Sequence, residues 1–325
     1  MTQYPLISVI IPAYNGEKTI ARACQSVLTQ TYPNVELVVV NDGSTDGTAA
    51  LLEALAAEHD NIRVVHQENG GVCAARNAGL NRAAGERICF LDADDELTEK
   101  ALQTLSETME DTHSDIVAGS CLRVRPDGSS FESPYTLPAE TWTWQGLEPL
   151  EHSLEDFPAT YSVWGKLYRR EVIDDIRFVE GRKIHEDSFF LFQVFQKELT
   201  MTVTNFVTVR YHLTENSASR AAFSGKFLDV LYFAQEKRQI IEKNHPQYLN
   251  LAKNVEIKAC LSLLNKMRLG CPKEYKEVQK QCLATVRENA RYFIPVLPID
   301  RITFTAVRLH LFWLYQWVYR SIKGK

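Results

Sequence analysis

Ile88-Cys89-Phe90-Leu91-Asp92-Ala93-Asp94-Asp95-Glu96 is a short apolar run that ends abruptly in acid. Ile88 to Leu91 suit a buried strand, and Asp92, Asp94 and Asp95 crowd its C-terminal end. Carboxylates that close repel one another unless something positive sits between them. A hard divalent cation, held by oxygen ligands and carrying phosphates on its other face, is the simplest such charge. In a parallel sheet, ligands collect beyond the carboxyl ends of the strands. If this strand lies in such a sheet, the other acidic and glycine-rich turns fall into place around it.

Upstream, Leu6 to Ile11 is a β-branched strand stopped by Pro12. Ile20, Ala23, Cys24, Val27 and Leu28 recur at helical spacing and predict a helix over 17–29. Val35 to Val40 is a second strand, which runs into N-D-G-S-T-D-G at 41–47, a turn sequence that no strand continues through. Leu51, Leu52 and Leu55 mark the next helix, and Ile62 to Val65 a third strand. Asn69-Gly70-Gly71 is a tight turn before a helix over 72–84, with Gly85 as its cap. After the strand at 87–91, Thr98 caps a helix reaching about Met109, and Asp115 to Ser120 is a fifth strand. The order βαβαβαβαβ with short connections implies four right-handed crossovers and a mainly parallel, three-layer α/β sheet. Residues 1–120 form its nucleotide-binding half. The first turn lacks G-x-G-x-x-G and the chain lacks G-x-x-x-x-G-K-[S/T], which weighs against a dinucleotide-binding dehydrogenase and a P-loop NTPase.

After Ser120 the pattern changes. Asp127-Gly128 turns a hairpin between 121–125 and 130–135. Residues 134–160 read as a loop plus a short helix. Val163 to Tyr168 precedes the basic pair Arg169-Arg170. Glu186-Asp187 open an apolar helix, and Met201 to Tyr211 alternates like an edge or closing strand. Residues 121–220 therefore form an acceptor half, completing one domain over 1–220. A helical extension follows over 221–325, with Leu261, Leu264 and Leu269 amid charged residues and breaks at Pro272, Pro295 and Pro298.

The chain has 325 residues, is 45% hydrophobic and carries a formal charge of -5, which argues against a general nucleic-acid role. From residue 301 onward Arg301, Arg308, Arg320, Lys323 and Lys325 meet no acid, a local charge of +5. There Phe304, Val307, Leu311, Leu314 and Val318 form a helical apolar stripe, so 303–325 suits the surface of an anionic inner membrane, or a helix packed on protein. Seven cysteines without C-x-x-C indicate neither a disulfide framework nor a zinc knuckle and fit a reduced, cytoplasmic compartment. No signal core and no spanning apolar run occur.

Several residues bear two readings each. Asp92 and Asp94 are metal-site carboxylates or members of a solvated loop. Asp42, at another strand end, accepts from a base N–H or from backbone N–H groups, or only organises the turn as Asp46 does. Tyr14 stacks on a nucleobase or packs as an ordinary tyrosine. Arg76 reaches phosphate or sits on the surface. Asp187 is a general base toward an attacking hydroxyl, or a helix cap. His212 and His185 are ligands, bases or structural histidines. Together these parts ask for one reaction class: a divalent cation bridges a nucleotide diphosphate, and a carboxylate deprotonates an alcohol that attacks the attached carbon.

The chain resembles family 2 glycosyltransferases of the GT-A fold. The resemblance rests on S-V-I-I-P-A-Y-N (8–15), S-V-L-T-Q-T-Y-P-N (26–34), V-V-N-D-G-S-T-D-G-T (39–48), G-G-V-C-A-A-R-N-A-G (70–79) and F-L-D-A-D-D (90–95). W-G-K-L-Y-R-R-E (164–171) and E-D-S-F-F (186–190) extend it. It implies inverting transfer of a sugar from a UDP-sugar, with Mn2+ or Mg2+, onto a hydroxyl. By position, Pro12 and Tyr14 would line the uracil pocket and Asp42 would accept from the uracil ring. Arg76 would lie near the nucleotide, Asp92 near the ribose and sugar, Asp94 and His212 on the metal, and Asp187 would be the base. Asn41 departs from relatives that carry aspartate there. Q-x-x-R-W, the mark of processive relatives, is absent, which favours addition of single sugars. Relatives sharing W-G-K-L-Y and E-D-x-x-F act in bacterial surface-polysaccharide synthesis, so the acceptor would be a glycan or lipid-linked glycan. Helices over 225–300 would serve as a homodimer surface or acceptor platform. The alternatives are a nucleotidylyltransferase, from which P-A-Y-N-G-E-K departs by lacking a glycine-rich loop with a basic residue, and a non-catalytic sugar-nucleotide binding protein.

Overall fold

The computed structural model describes residues 4–132, 140–213, 223–295 and 298–323, with Glu132, Leu269, Ile322 and Lys323 described by backbone alone. Hairpin residues 133–135, the domain boundary at 220–221 and Lys325 lie outside the described residues. Contacts divide the chain into two compact units, Met1–Ser217 and Ala218–Lys325.

The first unit begins with strand–helix alternation: β1 (Ile7–Ala13), α1 (Ile20–Leu28), β2 (Val35–Asp42), α2 (Thr48–Glu58), β3 (Ile62–Gln67), α3 (Val72–Arg82), β4 (Arg87–Phe90). It continues with β5 (Glu96–Leu97), α4 (Ala101–Asp111), β6 (Ile116–Val124), β7 (Ser130–Glu132), β8 (Trp142–Trp144) and α5 (Glu148–Leu154). It ends with β9 (Lys166–Arg169), α6 (Arg170–Ile173), α7 (Glu186–Val194) and β10 (Met201–His212). The sheet order is β3-β2-β1-β4-β9-β6-β10-β5, with β7 paired to β6 and β8 to β10. β3, β2, β1 and β4 are mutually parallel. Strand order reverses between β1 and β4, so the ends of β1, β2 and β4 open onto one crevice. Ile7, Val9, Ile11, Leu37, Val39, Cys89 and Leu91 line the core under α1 and α4. They recur every second residue, as a strand that puts one face toward a helix layer requires.

Several expectations change. β1 runs through Pro12 to Ala13, and β2 through Asn41 to Asp42. The fifth strand, β6, does not pair with β4. β9 lies between them, antiparallel to both, so the parallel run is broken by a four-residue strand, K-L-Y-R, with only two apolar residues and no alternation to mark it. β10 is not an edge strand: β6 flanks one side, in parallel, and β5 and β8 the other. Thr98 does not cap α4; its hydroxyl donates to the Val207 carbonyl at 2.7 Å and ties the chain to β10. Gly85 is no helix cap, since its N–H donates to Ser8 Oγ at 2.7 Å beside the buried Glu36 carboxylate. The Asp127-Gly128 hairpin does form, β7 running antiparallel to β6.

The second unit is helical: α8 (Leu228–Asn244), α9 (Leu249–Lys266), α10 (Lys276–Glu288), α11 (Pro298–Arg308) and α12 (Phe312–Lys323). The apolar face read for the tail is corrected here. Val307 is fully buried, and Phe304 stacks on Phe293 with ring centroids 4.1 Å apart. The face left open carries Ile302, Leu309, Trp313 and Trp317, the two tryptophans 66% and 63% exposed, together with Leu311, Leu314 and Val318. Among the described residues no helix is long and apolar enough to cross a membrane. All seven cysteines are free thiols, five of them buried.

Candidate active site

The crevice is built from the strand ends upward. The loop after β1 and the loop after β2 are laced together. Asn15 N–H donates to Ser44 Oγ, Thr45 N–H to Asn15 Oδ1, and Gly16 N–H to Thr48 Oγ1, each between 2.8 and 3.0 Å. Asp46 closes this lacing, accepting from Thr48 N–H and Glu17 N–H; it organises the turn, the plainer of its expected roles. Asn41, where aspartate was expected, orients the same turn by accepting from Ser44 N–H and pairing with His66 Nδ1 at 2.9 Å. Pro12 lies on β1 opposite Val40. Tyr14 just beyond it is 54% exposed at the crevice mouth, where an unpacked ring is free to meet a planar ligand.

Asp42 ends β2 and is 2% exposed. Its Oδ1 accepts from Gln67 Nε2 at 2.7 Å and Gly70 N–H at 2.8 Å, and its Oδ2 from Gly71 N–H at 2.8 Å. The backbone-donor reading of Asp42 is thus the one the geometry displays. A carboxylate offers about four acceptor directions, so one remains open on Oδ2. Gly71 has φ +85°, a left-handed conformation that glycine adopts without penalty and that starts α3 at the right angle.

α3 carries Arg76 into the centre of the site. The side chain is 3% exposed, so it is no surface arginine. One terminal nitrogen reaches Asp187 Oδ1 at 2.5 Å and Glu186 Oε1 at 3.4 Å; the other reaches Asp92 Oδ1 at 2.9 Å. Burial works against its charge, but Asp187, Asp92 and Glu186 outweigh that and hold the guanidinium above an ordinary arginine. The expected donor-side acid and the expected base are therefore brought together on one cation, although 95 residues separate them in the chain.

Asp187 lies in the first turn of α7, after His185 in a left-handed conformation at φ +66°. Its Oδ2 accepts from Val163 N–H at 3.3 Å. Burial pushes its pKa up, Arg76 pulls it down, Asp92 pushes it up, and the Val163 amide and Lys166 pull it down. Glu186, which sequence reasoning passed over as a helix opener, belongs to the same cluster; burial and then Asp187 push it up to about 7. Only its adjacency to Asp187 could have flagged it.

The acidic loop after β4 has a second centre. Burial, then Asp92, raise the Asp94 carboxyl, while Arg22 and His212 lower it. Asp95 is fully buried: Oδ1 accepts from His212 N–H at 2.8 Å, and Oδ2 has no hydrogen-bond partner among the described residues. Burial, Asp92 and Asp94 push it up to about 9. Such a set of mutually repelling hard oxygens, one of them orphaned, fits a divalent cation. Yet among the described residues no three His, Cys, Asp or Glu side chains converge as a ready metal cluster. His212 is brought beside this loop, but its Nε2 lies 2.6 Å from Glu96 Oε1, which also pairs with Arg22.

With this geometry in view, a model described as glycosyl transferase family 2 matches residues 8–177. The chain belongs to this family. Among relatives, GlyA of Streptococcus pneumoniae, a glycosyltransferase, is 30% identical over 71% of this chain and 34% of its own length. The uncharacterized glycosyltransferase EpsJ of Bacillus subtilis is 35% identical over 59% of this chain and 57% of its own. The uncharacterized glycosyltransferase YibD of Escherichia coli is 31% identical over 66% of this chain and 63% of its own. The chain thus spans between about a third and two thirds of the length of these relatives. The crystal structure of residues 1–349 of S. aureus TarS with UDP-GlcNAc aligns over 98% of this chain and 92% of that one, at TM-score 0.70 and 22% identity. That likeness extends the shared fold, a mainly parallel sheet with a helical extension, over both units. The family match removes the nucleotidylyltransferase reading.

Proposed function

We propose that the protein is an inverting glycosyltransferase that moves a sugar from a UDP-sugar to a hydroxyl of a glycan or lipid-linked glycan in bacterial surface-polysaccharide synthesis. The observation that carries this reading is the pairing of Asp187 and Asp92 through the buried Arg76, which puts a candidate base next to the donor-side acid. TarS, of the same fold, was crystallised with UDP-GlcNAc and with UDP, which supports a uridine donor.

In this reading Pro12 and Tyr14 flank the uracil ring, and Asp42 both shapes the 70–71 turn and offers its open Oδ2 direction to the ring N–H. Asp92 orients ribose and sugar. Asp94, with His212 released from Glu96, would hold Mn2+ or Mg2+, which supplies charge neutralisation for a departing diphosphate. Asp187 accepts the proton of the acceptor hydroxyl. That oxygen bonds to the anomeric carbon from the face opposite the diphosphate, the carbon–oxygen bond to UDP breaks, and its electron pair leaves with UDP. Arg76 keeps the base ionised against its burial. The test is a panel of nucleotide sugars with Mn2+, read by thermal shift and release of nucleotide. A response to one UDP-sugar that Asp187→Asn abolishes for transfer but not for binding supports the reading. Transfer undiminished in Asp187→Asn leaves a binding protein or a different base.

The open face of α11 and α12 is assigned to an anionic membrane surface at the inner face of the plasma membrane. Exposed tryptophans beside Arg301, Arg308 and Arg320, with no acid from 301 onward, have the composition of interfacial helices. Flotation with anionic vesicles, lost in Trp313→Ala/Trp317→Ala, is the expected result. Flotation unchanged in that variant, or self-association in its place, assigns the face to a second copy.

A further inference from the structure

Neither donor binding nor the acidic loop uses the stretch Trp164-Gly165-Lys166-Leu167-Tyr168, yet each residue in it has a defined place. Trp164 stacks on Tyr211, ring centroids 5.6 Å apart. Gly165 turns at φ +70°, and Leu167 fills the core. The other two turn their polar ends back onto the chain just before them. Lys166 Nζ donates to the Ser162 carbonyl at 2.6 Å. Tyr168 O–H donates to the Val163 carbonyl at 2.9 Å.

The Ser162 carbonyl and the Val163 N–H are the two ends of one peptide group, and that N–H is the donor to Asp187 Oδ2. An ammonium, a peptide and a carboxylate therefore stand in series. The cation is on the oxygen end of the peptide dipole and the anion on its hydrogen end. Both charges favour this orientation, and hydrogen bonds in such a chain polarise one another. Lys166 and Tyr168 are 2% and 0% exposed, so neither is held there by solvent. Burial pushes the Lys166 ammonium down to about 8, offset in part by Asp187 and then Cys121. A buried cation is costly to keep, and here it is placed on the carbonyl of the peptide whose N–H donates to Asp187.

We propose that Lys166 and Tyr168 are positioning residues for the Asp187 base: Lys166 keeps its carboxylate ionised through the Ser162–Val163 peptide, and Tyr168 fixes Val163, the donor to that carboxylate, by its carbonyl. The proposal rests on the reading of Asp187 as base. The groups that face Asp187 are Arg76 from α3, Asp92 from the loop after β4, Lys166 and Tyr168 from β9, and Glu186 from its own helix.

The experiment is the pH profile of kcat for the full chain, with donor KM and melting temperature, in Lys166→Met, Lys166→Arg and Tyr168→Phe. Loss of a nearby positive charge raises a carboxyl's pKa. Lys166→Met should therefore move the acid limb up by about one pH unit and lower kcat below that limb about tenfold, with donor KM unchanged. Lys166→Arg should return most of the shift. Tyr168→Phe removes no charge and should lower kcat with the limb unmoved. A merely structural lysine would alter the melting temperature and leave the limb in place, and that result overturns the proposal. Where Lys166→Met is too slow to profile, 13C NMR of aspartate-labelled protein reads the Asp187 carboxyl directly, Asp187→Asn identifying its signal. An unshifted carboxyl there also overturns it. Full transfer by Asp187→Asn defeats the base assignment itself and is distinguishable from either result.

Discussion

Arg76→Met keeps most of the length of the side chain and removes the cation that Asp187, Asp92 and Glu186 share. The arginine is 3% exposed and the carboxylates between 14% and 30%, so water cannot replace it well. Removing one partner of a buried pair costs about 3–5 kcal/mol, which for a unit of this size is a fall in melting temperature on the order of 10 °C. The pH dependence tests the cause. Glu186 already has a folded-state value raised to about 7 from 4.5, and Asp187 is raised as well. Without Arg76 both rise further. A folded-state pKa above the unfolded one means the folded chain holds more protons in the window between them, so stability falls as pH rises through it. The penalty of Arg76→Met should therefore grow as pH rises, clearly larger at pH 8 than near pH 4.5, where it should be mostly absent. Urea denaturation at the two pH values measures it, and adding Asp187→Asn should return part of the loss at pH 8. An equal penalty at both pH values, or none at pH 8, would refute the view that Arg76 serves chiefly to hold these carboxylates ionised.

Asp42→Asn turns one acceptor toward Gly70 and Gly71 into a donor, losing charge-assisted bonds of about 1.5–3 kcal/mol each; denaturation midpoints should drop and donor affinity should fall with them. Asp94→Ala should leave the fold intact or more stable, since it relieves repulsion with Asp92 and Asp95, while abolishing any Mn2+-dependent thermal shift; a metal shift that survives moves the cation elsewhere. Gly79→Ala would put a Cβ 2.3 Å from Ile10 Cγ2, where α3 presses on β1, so a loss of about 1–3 kcal/mol or more is expected in urea unfolding, partly restored by Ile10→Ala.

The parallel run β3-β2-β1-β4 was legible because each strand is a mainly apolar segment followed by a turn or acidic sequence, and α1 and α2 carry apolar residues at helical spacing. The acidic strand ends were legible for the same reason: acids and glycine after an apolar segment mark where a strand is about to stop. What stayed hidden was pairing over long chain distances. Nothing in the local pattern of Arg76 reveals that it meets Asp187 and Asp92, and a surface arginine has the same neighbours in sequence. Four residues, Lys166 to Arg169, are too few to show a period, so β9 was missed. The tail stripe misled because Phe304 and Val307 fit a helical face equally well whether that face points to solvent or to α9 and α10. Glu186 was overlooked beside Asp187, and Asp95, seen in the same acidic turn, was given no role beside Asp94, since sequence ranks adjacent acids alike and only burial separates them.

β9 has a mechanical consequence. It is hydrogen-bonded to β4 on one edge and to β6 on the other, so the strand that delivers the acidic loop is stitched through β9 to β6 and β10 in one ladder. Opening a hinge between donor and acceptor halves would tear that ladder row by row. The sheet under the acidic loop is accordingly braced on both sides, while Asp187, on α7, is tied to that loop through Arg76. In the proposed transferase, differences between sugars and acceptors would be met by the loops at the rim, which can change while the ladder beneath them stays intact.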